Sequence, residues 1–342
     1  MVAGIDKPLR LGIVGLGWVA RDYMLPAIAE VPGVQLAAVC DLHAPTLPAA
    51  HQAARYYSQL GDMLAEAELD GVYIATPNHL HAEQAVACLE AGVGVLLEKP
   101  MAPTAREAER IAEAAERTGT PYATAFDQRH HPAHRCIAEL IAEGRIGILT
   151  QVRLDYACWL PDDWSPDAAT GGAPAPDNWR IDRARAGGGA VIDLAPHGLD
   201  LVEALTGQRI TTLTGMYQLA VHDYGVDDGG ALVGRLSGGA LLAHTVGYNR
   251  PERLPRRRLE LIGTAGMLTA VNTMGQTPGG TLTLTDAASG EERPIGFDVS
   301  RGPFAGQLAA FAKTLRGEVS ASARSVADDL RLAHLLEEAM GP

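Results

Sequence analysis

The chain has 342 residues, 47% of them hydrophobic and 20% charged, with a formal net charge of −13. That length suits two domains with ample cores, and the acidic balance excludes a surface built for nucleic acid or an anionic membrane. The four cysteines form no CxxC pair, no apolar run approaches the ~20 residues that span a bilayer, and the first residues lack a signal-peptide core, so a cytoplasmic protein with reduced thiols is expected.

The first part of the chain alternates strands and helices. Leu9 to Val14 reads as a strand ending in glycines, and Ala20 to Glu30 as a helix blemished by Pro26. Val34 to Val39, Gly71 to Ala75, Val93 to Leu97 and Tyr122 to Phe126 read as further strands. Helices are expected from about Ala82 to Ala91 and from Thr104 to Thr118, with Thr104 as N-cap and Glu107 three residues on. Repeated βα units specify a doubly wound parallel α/β sheet, a Rossmann-type domain over residues 1–126.

The pattern then changes. Pro132 to Gly144 is helical, and Thr150 to Cys158 alternates apolar with polar residues. Strands follow at Ile210–Val221, Ala231–Leu236, Ala240–Tyr248, Arg257–Ile262, Met267–Val271 and Thr281–Thr285. Residues 127–342 therefore read as an α+β domain with a large, open-faced, mainly antiparallel sheet. Its bare face is expected to be apolar and to join copies into a homodimer or homotetramer. Two helices, Pro303–Leu315 and Ser325–Met340, close the chain and are candidates to pack back on the first domain. The Pro-, Gly- and Asp-rich stretch Asp162–Asp177 reads as a long loop.

Gly15-Leu16-Gly17-Trp18-Val19-Ala20 has the form GxGxxA between a strand and a helix. The first glycine allows the tight turn, the second lets backbone approach a pyrophosphate, and the small last residue permits close helix–strand packing. Asp41, ending the second strand, is placed for the ribose hydroxyls and would repel a 2′-phosphate. NAD is thus favoured over NADP. The third strand ends in Ala75-Thr76-Pro77-Asn78-His79-Leu80-His81, along which the nicotinamide half should run. His79 and His81 have HxH spacing, but no nearby Asp, Glu or Cys completes a metal set, so cofactor or helix-start roles are preferred and no metal is expected. His130, His131 and His134 read as a polar helix start.

Lys99, in Glu98-Lys99-Pro100, follows the apolar run Val93–Leu97 at the carboxyl end of its strand, where open α/β sheets bind ligands. Its plainer reading is a strand-end lysine reaching solvent. Gly187-Gly188-Gly189 leads into a helical segment that places Asp193 and His197 at i and i+4, with Asp200 three residues further. A carboxylate beside an imidazole orients it and raises its basicity, which suits proton transfer to or from a hydroxyl. Pro196 softens the helical spacing, and a histidine satisfying its own turn is the plainer reading.

Taken in order, Gly12–Gly17, Ala75–His81, Glu98-Lys99-Pro100, Arg129 with Pro132, Trp179-Arg180 and Gly187–Asp200 resemble the Gfo/Idh/MocA oxidoreductases over nearly the whole chain. The resemblance implies a Rossmann domain, an open-faced sheet domain, and NAD(P)-dependent hydride transfer at a secondary alcohol of a sugar, amino sugar or cyclitol. It implies Lys99, Asp193 and His197 as catalytic residues, with the histidine as acid/base, the lysine holding the reacting oxygen and the aspartate orienting substrate and imidazole. It implies cofactor contacts from Gly15, Leu16, Gly17, Trp18, Val19, Asp41, Thr76, Pro77, Asn78, His81, Glu98 and Lys99, and substrate contacts from Arg129, Trp179, Arg180 and His197. Two other readings stay open: an NAD-dependent glycoside-cleaving enzyme that oxidises transiently, and a non-catalytic NAD-binding protein.

Overall fold

Six strands, all paired in parallel, form the sheet of the first unit in the computed structural model, in the order β3-β2-β1-β4-β5-β6. They are β1 (Leu9–Val14), β2 (Val34–Cys40), β3 (Arg55–Tyr57), β4 (Gly71–Ile74), β5 (Gly94–Leu97) and β6 (Tyr122–Thr124). The structure describes residues 7–164, 178–318 and 324–341. This unit comprises Met1–Ala125 and Phe304–Leu330. The strand order reverses between β1 and β4, and the crevice at such a switch point is where dinucleotides bind.

The helices of this unit are α1 (Leu25–Glu30), α2 (Leu60–Glu66), α3 (His81–Glu90) and α4 (Ala105–Thr118). β3 and α2 were not expected. A π-helical segment, Ala20–Met24, runs into α1 with Leu25 N–H on the Ala20 carbonyl. Pro26 therefore falls at the start of α1, where a missing N–H costs little. α4 carries the expected cap: Thr104 Oγ1 accepts from Glu107 N–H at 3.3 Å, and Gly119 ends the helix at φ 66°.

The second unit comprises Phe126–Pro303 and Arg331–Pro342. Its eight-stranded sheet has the order β14-β13-β12-β11-β7-β10-β9-β8. The strands are β7 (Leu149–Ala157), β8 (Ile210–Gln218), β9 (Gly229–Leu236), β10 (Leu241–Gly247), β11 (Arg257–Gly263), β12 (Gly266–Val271), β13 (Thr281–Asp286) and the unexpected β14 (Glu292–Pro294). Only the β7–β10 pair is parallel. Its helices are α5 (Pro132–Ala142), the short α6 (Arg183–Ala186) and α7 (Ala190–Thr206). Val152, Leu154, Tyr156, Leu259, Leu261, Leu268 and Leu282 turn one face of the sheet into a core shared with Leu194, Leu199 and Val202 of α7.

The opposite face of this sheet is not the apolar surface expected. The register aligns Thr214, Val233, Ala243, Arg153, Glu260, Thr269 and Thr283 in one row across it. Threonines and an Arg153–Glu260–Arg258 charge cluster dominate, with Met216, Val233 and Leu241 as exposed apolar points. Two last helices are α8 (Pro303–Leu315) and α9 (Val326–Met340). Phe304, Leu308 and Phe311 of α8 join Ile13, Tyr73 and Leu96 in the core of the first unit. Leu332 and Leu336 of α9 join the core of the second. Among the described residues no helix is long and apolar enough to cross a membrane.

Candidate active site

In the first unit, the glycine loop follows β1 at the carboxyl edge of the sheet. Gly15 has φ +83°, and a Cβ there would lie 3.0 Å from the Ala75 carbonyl. Only glycine fits. Around the Cβ position of Gly17 no protein atom lies within 4 Å, so the space before its backbone is kept open. Helical bonding begins at once, with Arg21 N–H on the Gly17 carbonyl at 2.9 Å. These features fit a pyrophosphate against backbone N–H groups at a helix start.

Asp41 is tied to this loop. Its Oδ2 accepts from Leu16 N–H at 2.7 Å and its Oδ1 from His43 N–H at 3.1 Å. A carboxylate offers about four acceptor positions, so two bonds leave room for ribose hydroxyls. Trp18 and Val19 are half-buried beyond the loop, and the Trp18 ring meets Tyr23 edge-on at 5.7 Å. Thr76 donates to Gln84 Oε1 at 2.6 Å, Pro77 is half-buried, and Asn78 is buried after it.

His81 is fully buried, with Nδ1 3.0 Å from the Pro100 carbonyl and Nε2 3.0 Å from the Thr76 carbonyl. Burial pushes its pKa down to about 4. The neutral ring therefore has one N–H for these two carbonyls and sits between the loops after β4 and β5. Glu98 is likewise engaged. It accepts from the Tyr73 hydroxyl at 2.5 Å and from Lys99 N–H at 3.3 Å. Lys99 is half-buried, and its peptide bond to Pro100 is cis.

In the second unit, Asp227, in the β8–β9 connection, anchors the glycine run before α7. Its carboxylate accepts from Gly189 N–H and Val191 N–H, both at 2.8 Å, and its carbonyl from Ala190 N–H at 3.0 Å. These bonds satisfy donors that a helix start otherwise leaves orphaned. Burial still pushes the Asp227 carboxyl pKa up. Sequence reasoning missed Asp227, which lies far along the chain from α7 and carries no local motif.

α7 runs unbroken through Pro196 and presents Asp193, His197 and Asp200. Asp193 accepts from the Tyr248 hydroxyl at 2.8 Å. His197 is 5% exposed, with Nδ1 facing Asp127 Oδ1 at 3.5 Å. The edge of Tyr156 meets its ring at a centroid distance of 5.5 Å. Thus a carboxylate facing the imidazole is Asp127, from the 127–130 turn, while the expected i−4 aspartate, Asp193, meets Tyr248. Asp127 was missed because nothing local in Phe126-Asp127-Gln128 points to α7.

Asp200, read as a second partner for His197, is instead fully buried and gripped by both arms of Arg129, with Nε at 2.6 Å. Arg129 also stacks over Phe126 at 5.2 Å. This buried bidentate pair fixes the Arg129 guanidinium. Gly198 gives room to His244, whose Nε2 would be 2.4 Å from a Cβ there. His131 caps α5 by accepting from Ala133 N–H at 3.2 Å, as a polar helix start requires.

Trp179 and Arg180 lie in a 3-10 turn, Trp179–Ile181, with the guanidinium 4.6 Å from the Trp179 ring centre and 5.0 Å from that of Trp164. A second aromatic group, unremarked in the sequence, stacks His222 on Tyr224 at 4.8 Å beside Trp159. The loop expected over Asp162–Asp177 lies mostly outside the described residues. Among the described residues no group of three or more His, Cys, Asp or Glu is placed to hold a metal ion.

A doubly wound sheet with a pyrophosphate-type glycine loop, joined to a sheet domain carrying a buried histidine among carboxylates, defines a nucleotide-dependent oxidoreductase. Residues 9–126 match the family described as "Oxidoreductase family, NAD-binding Rossmann fold", and residues 134–269 match the GFO/IDH/MocA C-terminal domain. The chain belongs to the Gfo/Idh/MocA oxidoreductases and is an NAD(P)-dependent enzyme. It is 28% identical to the 1,5-anhydro-D-fructose reductase of Ensifer adhaerens over 289 residues, 84% of this chain and 83% of that enzyme. It is 30% identical to the levoglucosan dehydrogenase of Pseudarthrobacter phenanthrenivorans over 244 residues, 68% of this chain and 60% of that enzyme. A solved levoglucosan dehydrogenase, in complex with NADH and levoglucosan, superposes with a TM-score of 0.81 at 22% identity, over 98% of this chain and 96% of that one.

Proposed function

We propose that this chain moves hydride to or from a secondary alcohol or ketone carbon of a sugar, amino sugar or cyclitol, with NAD favoured over NADP. The observation that carries the reading is His197, a buried imidazole among carboxylates on a helix pinned by Asp227. When bound, the nicotinamide supplies or accepts the hydride. In oxidation His197 takes the hydroxyl proton, and in reduction it returns that proton to the carbonyl oxygen. Lys99 holds the same oxygen and offsets the negative charge that develops there. Asp193, steadied by Tyr248, orients the substrate's hydroxyls.

Gly15, Leu16, Gly17, Trp18 and Val19 hold the pyrophosphate, and Asp41 the ribose. Thr76, Pro77, Asn78 and Glu98 shape the path of the nicotinamide half. Trp179 and Arg180 offer an aromatic and cationic edge suited to a sugar's C–H face and hydroxyls. Relatives named for 1,5-anhydro-D-fructose and levoglucosan support a cyclic polyol as the substrate class. We place the protein in the cytoplasm, in keeping with its four unpaired cysteines. We assign the face carrying Met216, Val233 and Leu241 to a homodimer or homotetramer contact. A panel of sugars and inositols, offered with NAD or NADP while reduced nicotinamide absorbance is followed, tests the activity. Turnover with at least one member is expected. Firm coenzyme binding with no turnover across the panel would overturn it.

A further inference from the structure

We infer that Asp127 is the residue that positions His197 and balances its charge during proton transfer, an inference that rests on the acid/base role proposed above. Asp127 is 3% exposed. Its Oδ2 accepts from the Gln128 side-chain amide at 2.9 Å. Its Oδ1 is buried and has no hydrogen bond among the described residues, yet faces His197 Nδ1 at 3.5 Å. A buried carboxylate oxygen left in that state is costly unless a donor or positive charge answers it. The imidazole is the group placed to do so.

The turn that carries Asp127 is firmly held. The Gln128 carbonyl bonds the buried His134 ring at 2.7 Å, and the Gln128 amide also reaches the Gly275 carbonyl at 3.3 Å. The carboxylate therefore meets His197 from a fixed frame. With the ring proton on Nδ1 directed at Asp127, Nε2 keeps its lone pair for the substrate. In oxidation the hydroxyl proton moves to Nε2 while the hydride goes to the coenzyme. The imidazolium so formed is matched by the Asp127 carboxylate, through a charge-assisted Nδ1–H bond that shortens the 3.5 Å gap. Reduction runs the same proton back.

The other groups around His197 have partners of their own. On α7, Asp193 is bonded by Tyr248, and Asp200 is bonded by both arms of Arg129. From β7 the Tyr156 edge faces the ring, with Arg257 of β11 stacked over Tyr156 at 5.3 Å. From β10 His244 lies near, its pKa pushed down to about 4 by burial, so it contributes no charge at neutral pH.

The test is Asp127→Asn, which keeps the shape and removes the charge. In kcat/KM for oxidation against pH, the acid limb is expected to move down by about one pH unit, because a neutral neighbour no longer favours the imidazolium. A purely structural role would lower the rate at every pH and leave the limb in place, and that result would overturn the inference. A second readout needs no turnover. In coenzyme-free protein labelled with 15N-histidine, with the His197 signals assigned through His197→Gln, the neutral ring should carry its proton on Nδ1. The Asp127→Asn variant should titrate at lower pH. An Nε2–H tautomer, or an unmoved midpoint, would contradict the role of Asp127. If Asp127→Asn does not fold, the tautomer in the natural protein decides. Absence of turnover on any polyol with the expected tautomer present would count against the proposed reaction and not against this pair.

Discussion

Gly189→Ala gives the sharpest structural prediction. A Cβ at this position would sit 1.9 Å from the Asp227 carbonyl oxygen, and 2.8 Å and 3.0 Å from its C and N. The obstacle is backbone, so no rotamer change relieves it, and Asp227 and the glycine run must part by at least about 1 Å. That movement breaks the Ala190 N–H bond to the same carbonyl, and it weakens the two 2.8 Å bonds from Gly189 and Val191 to the buried carboxylate. At about 1 kcal/mol for the neutral bond and about 1.5–3 kcal/mol for each charged one, the loss is about 4–7 kcal/mol if all three bonds go. That is a large part of a typical folding stability of about 5–15 kcal/mol. Urea unfolding followed by tryptophan fluorescence suits the test, since Trp159, Trp164 and Trp179 all belong to the second unit. A loss below about 1 kcal/mol would refute the reasoning. Gly17→Ala is the contrast: its Cβ meets no protein atom, so stability should hold while coenzyme affinity falls.

Four further outcomes are expected. Lys99→Met should cut turnover about a thousandfold or more while sparing most coenzyme affinity, as initial rates beside a coenzyme-binding titration would show; an unchanged rate removes Lys99 from the chemistry. Asp41→Ser should weaken NAD binding about tenfold, the scale of one or two lost hydrogen bonds, and narrow the preference over NADP; an unchanged coenzyme ratio speaks against a ribose contact. His134 and His244, buried with pKa values pushed down to about 3 and about 4 by burial, remain neutral in the fold, whereas the unfolded chain takes up protons below about 6.5. Stability of the second unit should therefore rise with pH between about 4 and 6.5 and be lost on acidification, by about 3 kcal/mol per pH unit for the pair; urea midpoints that stay flat from about pH 6.5 to about pH 5 would contradict this. Val233→Glu, in the open row of the sheet, should lower the mass seen by sedimentation if that face joins copies.

Much of the architecture was legible because its signals are local. β5 is a continuous apolar run, β7 alternates, and α4 announces its start with Thr104 and Glu107. β3 and β14 were not legible, because each has only three residues, all exposed in β14 and two of three in β3, with no usable period, and is held by its neighbour's backbone. Pro196 argued against a continuous helix, yet packing of both neighbouring turns into the core carries α7 through it. At the site, residue types and helical spacing were readable, whereas partners were not. His197 faces Asp127, Asp193 meets Tyr248, and Arg129 is taken by Asp200. Each pairing joins distant segments, and only the register of the sheet and the path of α7 bring them together. His81 shows the converse: a histidine in a motif can be a buried neutral ring set between two backbone carbonyls, with one N–H to give to either.

The central claim is hydride transfer from a polyol carbon to the coenzyme. It is tested most directly by incubating the enzyme with NAD and a panel of carbon-deuterated sugars and cyclitols, then weighing the recovered coenzyme. The account predicts reduced nicotinamide heavier by one mass unit with at least one substrate, and no such label in Lys99→Met. Coenzyme that binds yet stays unlabelled across the panel would contradict it.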